Sequence, residues 1–301
     1  MFPSQCLLSH PNYRSFLFTL ISNFFKLKPN IKIEILPIML YYSHVVRRMI
    51  KMYYMRDILG CIKRADEHYH LIEDGDTIAV GVSGGKDSVL LLYAMNAYKR
   101  MCEKTKKFEI VGIHIQMGFP NMDTTPMENY FKEQNIRLEL VPSYAYEILK
   151  ANVQNNGRLP CSICSKIKKA VVIENAVKFN CNKVAFAHHA DDAIETLMMN
   201  MIFGGRLATF KPKMYLDKTK MTFIRPLVYA RENQINKACN KLELPLVIST
   251  CPNDKHTERE NMKTMLKDLY HKYPMAKDNF LLMLHNKEKM DLWEILEKEE
   301  K

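Results

Sequence analysis

Thr77-Ile78-Ala79-Val80-Gly81-Val82 followed by Ser83-Gly84-Gly85-Lys86-Asp87-Ser88 decides the fold of this chain. The first six residues are apolar and β-branched, the composition of a short buried strand. The next six form a glycine-rich turn, and a helical pattern runs from about Asp87 to Met101. Outward from this unit the alternation continues. A helix is expected over 55–70, then strands at Glu109–Ile115, Ile136–Val141 and Lys183–Ala187. Between them lie helical patterns near Pro126–Gln134 and from about Ser165 to Phe179. Strands separated by helices need crossover connections, which give a parallel sheet covered on both faces. The expected fold class is α/β, a doubly wound parallel sheet, with a mostly helical region after Arg231 and a closing charged helix from about Lys287 to Lys301.

Composition narrows the functional classes. The 301 residues are 47% hydrophobic and 26% charged, with 10 Gly and 13 Pro, an ordinary globular balance that excludes wholesale disorder and collagen-like repeats. The net charge of +11 suggests a polyanionic partner, but residues 1–48 hold six Lys/Arg against one acid and supply nearly half of it. That segment has two apolar runs, from Phe16 to Phe25 and from Ile31 to Tyr42, each short of the ~20 residues that cross a bilayer. Neither carries the layout of a secretory signal. Residues 1–48 are read as a dispensable extension, 49–230 as the α/β body and 231–301 as a helical C-terminal region. Eight cysteines without a secretory signal point to a reducing cytosol and no membrane.

In an open α/β sheet, ligands bind beyond the carboxyl ends of the strands, where the glycine-rich turn stands. Two glycines let backbone approach a phosphate, and the N–H groups of the following helix favour an anion. The turn is not a Walker A loop: three residues, not four, separate Gly81 from Gly85, and Asp87 follows Lys86. The run Ser-Gly-Gly-Lys-Asp-Ser resembles the PP-loop of the ATP pyrophosphatases, with the adenine nucleotide alpha hydrolase-like fold, which split ATP between its α and β phosphates and adenylate a carbonyl oxygen. The resemblance implies that Ser83, Gly84, Gly85 and Ser88 hold the pyrophosphate, that Lys86 balances its charge and that Asp87 helps to place Mg²⁺.

A second constellation is His188-His189-Ala190-Asp191-Asp192-Ala193-Ile194-Glu195-Thr196. On helical spacing His188, Asp191, Asp192 and Glu195 share one face. By itself this reads equally as a satisfied helix start or as a metal or nucleotide site. It is similar to the H-H-x-D-D-x-x-E-T element of tRNA-modifying PP-loop enzymes, which implies a nucleotide role for His188 and metal and phosphate positioning for Asp191 and Asp192. Ala187 stands where those enzymes usually have glycine.

Cys161-Ser162-Ile163-Cys164 precedes Lys166, Lys168 and Lys169, cations that favour thiolate. A lone C-x-x-C is open among zinc, an iron-sulfur cluster, a redox disulfide and chance. With its basic neighbours the element resembles the tRNA 2-thiocytidine biosynthesis proteins, which use two such cysteines and a distant third for a 4Fe-4S cluster. The matching third position is Cys251, 87 residues beyond Cys164. Zinc would need a fourth ligand, for which His256 is available. The other cysteines, Cys6, Cys61, Cys102, Cys181 and Cys239, are read as buried or incidental thiols.

Between Gly205 and Arg231 lie Arg206, Lys211, Lys213, Lys218, Lys220 and Arg225 against Asp217 alone. With Arg158, Lys168 and Lys169 they would form a cationic surface suited to a phosphate backbone. The Arg225-Pro226-Leu227 run and Arg231-Glu232 also resemble the family, whereas Ala230 and Asp254 occupy places where members often have cysteine. The combined expectation is a cytosolic, ATP-dependent tRNA thiolase acting on C2 of an anticodon-loop cytidine. Its cofactors would be ATP, Mg²⁺ and a 4Fe-4S cluster; its partners tRNA, a cysteine desulfurase or free sulfide as donor, and a second copy in a homodimer. The rivals are a PP-loop enzyme acting on another base with zinc-bound or idle cysteines, and a non-catalytic nucleic-acid-binding module.

Overall fold

A computed structural model describes residues 53–153, 159–252, 258–286 and 288. The extension, Arg158, Asp254, His256 and nearly all of the closing charged helix lie outside the described residues. The described elements run α1 (53–69), β1 (Thr77–Val82), α2 (Lys86–Cys102), β2 (Glu109–Gln116), α3 (Thr125–Glu133), β3 (Leu138–Pro142), α4 (Ala145–Ala151), α5 (Cys161–Lys178) and β4 (Lys183–Ala185). They continue with α6 (Ala190–Gly204), β5 (Lys213–Leu216), β6 (Met221–Ile224), α7 (Glu232–Leu242), α8 (Glu258–Lys272) and α9 (Ala276–Met283).

The sheet order is β3-β2-β1-β4-β6-β5. Every neighbouring pair is parallel except β5 with β6. Burial on both faces follows the two-residue period of the strands. Ile78, Val80 and Val82 of β1 pack into a core with Leu90, Leu91 and Met95 of α2. Ala79 and, from β2, Val111, Ile113 and Ile115 turn to the opposite core with Val172 and Ala176 of α5. This is the doubly wound arrangement.

One local boundary changes, and two elements are added to the expected pattern. The cysteine helix begins at Cys161 rather than near Ser165, with Pro160 at its N-cap, so both cysteines lie in its first turn. The proline's fixed φ and missing N–H suit that boundary. The basic stretch after Gly205 contains the antiparallel β5–β6 hairpin, and α4 is a helix that the periodicity of so short a segment does not reveal. Strand order reverses between β1 and β4: the chain moves outward through β2 and β3, then returns to the other side of β1. The glycine-rich turn at the end of β1 and the histidine pair after β4 therefore flank the switch point, where such sheets bind ligands.

Candidate active site

The turn after β1 is built around Gly84. Its φ of +87° is a left-handed conformation, and a Cβ there would lie 2.6 Å from Cβ of Val247. Val247 N–H donates to the Gly84 carbonyl at 3.0 Å, pinning the two segments together. Gly85 is the N-cap of α2 and offers no side chain to cap it, which leaves the first-turn N–H groups to an anion. The Ser88 hydroxyl donates to the Gly85 carbonyl at 2.9 Å and accepts from Ser83 N–H at 3.0 Å; the two serine hydroxyls are 3.0 Å apart. Both serines thus shape the turn.

Lys86 Nζ lies 3.3 Å from Asp87 and 3.1 Å from Glu232. Burial works against its charge, but Asp87 and Glu232 outweigh it and hold the ammonium above the ordinary lysine range. Glu232 is shared with Lys263 at 2.8 Å. Asp87 Oδ1 is buried with no hydrogen-bond partner. A spare carboxylate oxygen beside an anion-binding turn fits Mg²⁺, which is commonly held by one or two carboxylates together with substrate phosphates.

The histidine-aspartate segment differs from a single helical face. Helix α6 starts at Ala190 with His189 as its N-cap in a reciprocal capping box with Asp192, so His188 precedes the helix. Asp191 accepts from Arg231 at 3.3 Å and from Glu232 N–H at 2.7 Å. Asp192 accepts from His189 N–H at 2.9 Å and from Arg259 at 3.1 Å. These carboxylates are engaged by the protein and tie α6 to α7 and α8. His188 Nδ1 is buried without a partner, and burial, aided by the nearby Arg225 charge, lowers its pKa to about 4, so the ring is neutral at pH 7.

Glu195 is 3% exposed, and burial followed by the Asp192 charge raises its pKa to about 7. A carboxyl with a raised folded pKa stabilises the fold below its unfolded value and loses that contribution as pH rises. Stability from this group should fall by about 3 kcal/mol between pH 4.5 and 7. Denaturant unfolding across that range should show the fall in the parent and not in Glu195→Gln.

One cavity of about 620 Å³ joins the two constellations. Its walls include Ser83 and Gly85 of the turn, His114 and His188, and the three cysteines Cys161, Cys164 and Cys251. Cys161 is exposed, whereas Cys164 and Cys251 are partly buried. Burial pushes the Cys164 thiol up, and nearby Lys168, one of the cations expected to favour thiolate, opposes it without outweighing desolvation. Among the described residues no three His, Cys, Asp or Glu side chains gather at a single-ion site. Three soft donors spread around one cavity fit a cluster of several irons, whose ligands stand farther apart than those of one ion.

Lys168 and Lys169 line the same cavity and are exposed. Arg206 is exposed at the end of α6 and reaches Asn200 Oδ1 at 3.3 and 3.2 Å. Arg225, expected on the cationic surface, is instead 7% exposed: its guanidinium lies 4.8 Å from the Phe210 ring and bonds the Lys211 carbonyl. It acts as a buried charge beside His188. Arg259 and Lys263, unremarked in the sequence, reach the site because Met262 and Leu266 of α8 pack on Ile194 of α6. Their apolar partners at helical spacing were the available signal.

The profile described as a PP-loop domain matches residues 60–269. The chain belongs to the PP-loop family. This member is 36% identical over 233 residues to the tRNA-cytidine(32) 2-sulfurtransferase of Geobacter sulfurreducens, a match covering 77% of this chain and 90% of that one. The namesake of Dechloromonas aromatica is 30% identical over 219 residues, covering 72% and 75%. Among solved structures, the PP-loop chain resembles the U34-tRNA thiolase NcsA from Methanococcus maripaludis with its 4Fe-4S cluster. The TM-score is 0.62 at 20% identity, over 80% of this chain and 81% of that one, a likeness of fold.

Proposed function

We propose that this PP-loop protein is an ATP-dependent tRNA sulfurtransferase that converts an anticodon-loop cytidine, at the position 32 named for its relatives, to 2-thiocytidine. The observation that carries this reading is the single cavity lined at once by the glycine-rich turn and by three thiols. An anion-binding helix start serves to activate a carbonyl with ATP; a sulfur-rich wall serves to replace the oxygen so activated.

The cytosine O2 attacks the α-phosphorus of ATP and the bond to pyrophosphate breaks. The turn N–H groups and Lys86 stabilise the charge on the departing pyrophosphate. Sulfide from the donor then adds at C2, the C2–O bond breaks, and AMP leaves. Asp87 offers a carboxylate oxygen that would hold Mg²⁺, which when bound would neutralise phosphate charge. Asp191 and Asp192 position α6, and with it His188. Cys161, Cys164 and Cys251 would hold a 4Fe-4S cluster, which when bound would supply iron for handling sulfide. Lys168, Lys169, Arg206 and the exposed Lys218 and Lys220 of the β5–β6 hairpin supply contacts to the RNA backbone. No described helix is long and apolar enough to cross a membrane; the cytosol, where thiols stay reduced, suits this chemistry. We assign residues 1–48 no part in it.

The test is anaerobic reconstitution with iron and sulfide, then incubation with ATP, Mg²⁺ and tRNA lacking the modification. Brown absorption, pyrophosphate release dependent on tRNA, and 2-thiocytidine in the nucleoside digest are expected. Pyrophosphate release with an unmodified digest would overturn the thiolation reading.

A further inference from the structure

His114 belongs to none of the motifs above, yet it stands at the carboxyl end of β2, in the wall of the cavity. It is 1% exposed. In the β1–β2 register it is the partner of Val82, the residue before the glycine-rich turn. Its Nδ1 lies 2.9 Å from the Val82 carbonyl oxygen. A carbonyl can only accept, so Nδ1 carries the proton, and in a neutral ring Nε2 is then a bare acceptor. Burial lowers the pKa of this imidazole, which keeps the ring neutral at pH 7. Nε2 is buried with no hydrogen-bond partner. A buried acceptor left unpaired is costly, so one at a ligand cavity marks a place for a ligand donor.

Resting on the thiolation reading above, we propose that His114 Nε2 accepts a hydrogen bond from the exocyclic 4-amino group of the target cytosine and so excludes uracil. Uracil presents an oxygen at that position, and two acceptors would face each other across a dry gap. Cys161, Cys164 and Lys168 line the same cavity as His114, so a base held against the imidazole shares its space with the sulfur donors as well as with the glycine-rich turn. Met117, Phe119 and Phe186 also line the cavity and provide apolar surface for a flat, unstacked base.

The experiment compares tRNA bearing cytidine at the target position with tRNA bearing pyrimidin-2-one riboside, which lacks only the 4-amino group, and with the uridine form. The reconstituted parent should thiolate cytidine roughly 10- to 100-fold faster, as kcat/KM, than the pyrimidin-2-one. His114→Phe should lose a similar factor on cytidine and bring these two substrates to near equality, with its iron-sulfur absorption unchanged. Because the substrate comparison uses the parent protein, it decides the matter even if the variant fails to fold. Equal rates for cytidine and pyrimidin-2-one in the parent overturn the proposal. So does a folded His114→Phe that keeps the parent's preference. If the variant instead weakens ATP binding measured without tRNA, the amine is adenine's, and the assignment to cytosine is overturned. A parent that thiolates none of the three RNAs fails at the level of the function itself, an outcome visible separately from the ratio.

Discussion

Cys251→Ala is expected to lower 2-thiocytidine formation by more than about 100-fold, beyond the loss that follows from changing an outer-shell partner of a ligand. Pyrophosphate release with tRNA should stay within about threefold, because no acid–base or phosphate contact is removed. The cysteine shares a cavity with Cys161 and Cys164, although it is 87 residues from the nearer of them in the chain. The reason for a clean separation is the division of the cavity wall. Anion-binding groups come from the turn and the start of α2, sulfur donors from the start of α5 and the segment after α7. That last segment also carries Val247, whose N–H holds the Gly84 carbonyl four residues before Cys251. If both activities fall together, the substitution has loosened this clamp and the two halves are coupled through it. If thiolation survives intact, three thiols are not needed and the sulfur step belongs to the C-x-x-C pair alone.

Much of the architecture was legible because it rests on local rules. A six-residue apolar strand, a glycine turn and an apolar helix each announce themselves within their own span, and β1 begins and ends where the pattern placed it. The parallel sheet followed from alternation. What escaped was tertiary. Residues Lys213–Leu216 offer only Met214, Tyr215 and Leu216 as an apolar run, too short to read as a strand, so β5 forms as an edge strand by pairing with β6, and Lys211, Lys213, Lys218 and Lys220 mask it in the sequence. Arg225 reads as one more cation in a basic stretch, and only packing beneath Phe210 reveals a buried charge. The engagement of Asp191 and Asp192 by Arg231 and Arg259 depends on the start of α7 reaching α6 and on α8 packing against it, which no spacing within a motif encodes. His114 sits in an apolar strand whose alternation gives no hint of a cavity; its position at a strand's carboxyl end was the sole clue.

Gly84→Ala should reduce tRNA-dependent pyrophosphate release by about 100-fold, the loss that a displacement near 1 Å brings to positioned groups. Two independent costs meet at this residue. With φ at +87°, any L side chain is strained by roughly 1–3 kcal/mol. The new Cβ would also stand 2.6 Å from Cβ of Val247, which cannot retreat without breaking its hydrogen bond to the Gly84 carbonyl. Relief must therefore come from the turn itself, moving Gly85 and the uncapped N–H groups of α2 away from where phosphate binds. Pairing the change with Val247→Gly separates the costs: it removes the collision and leaves the backbone strain. The double variant should regain part of the activity and only part of the lost thermal stability. Full recovery would mean that the left-handed conformation is unimportant. No recovery would mean that strain alone displaces the anion-binding backbone, and that Val247 merely occupies space freed by the absence of a side chain.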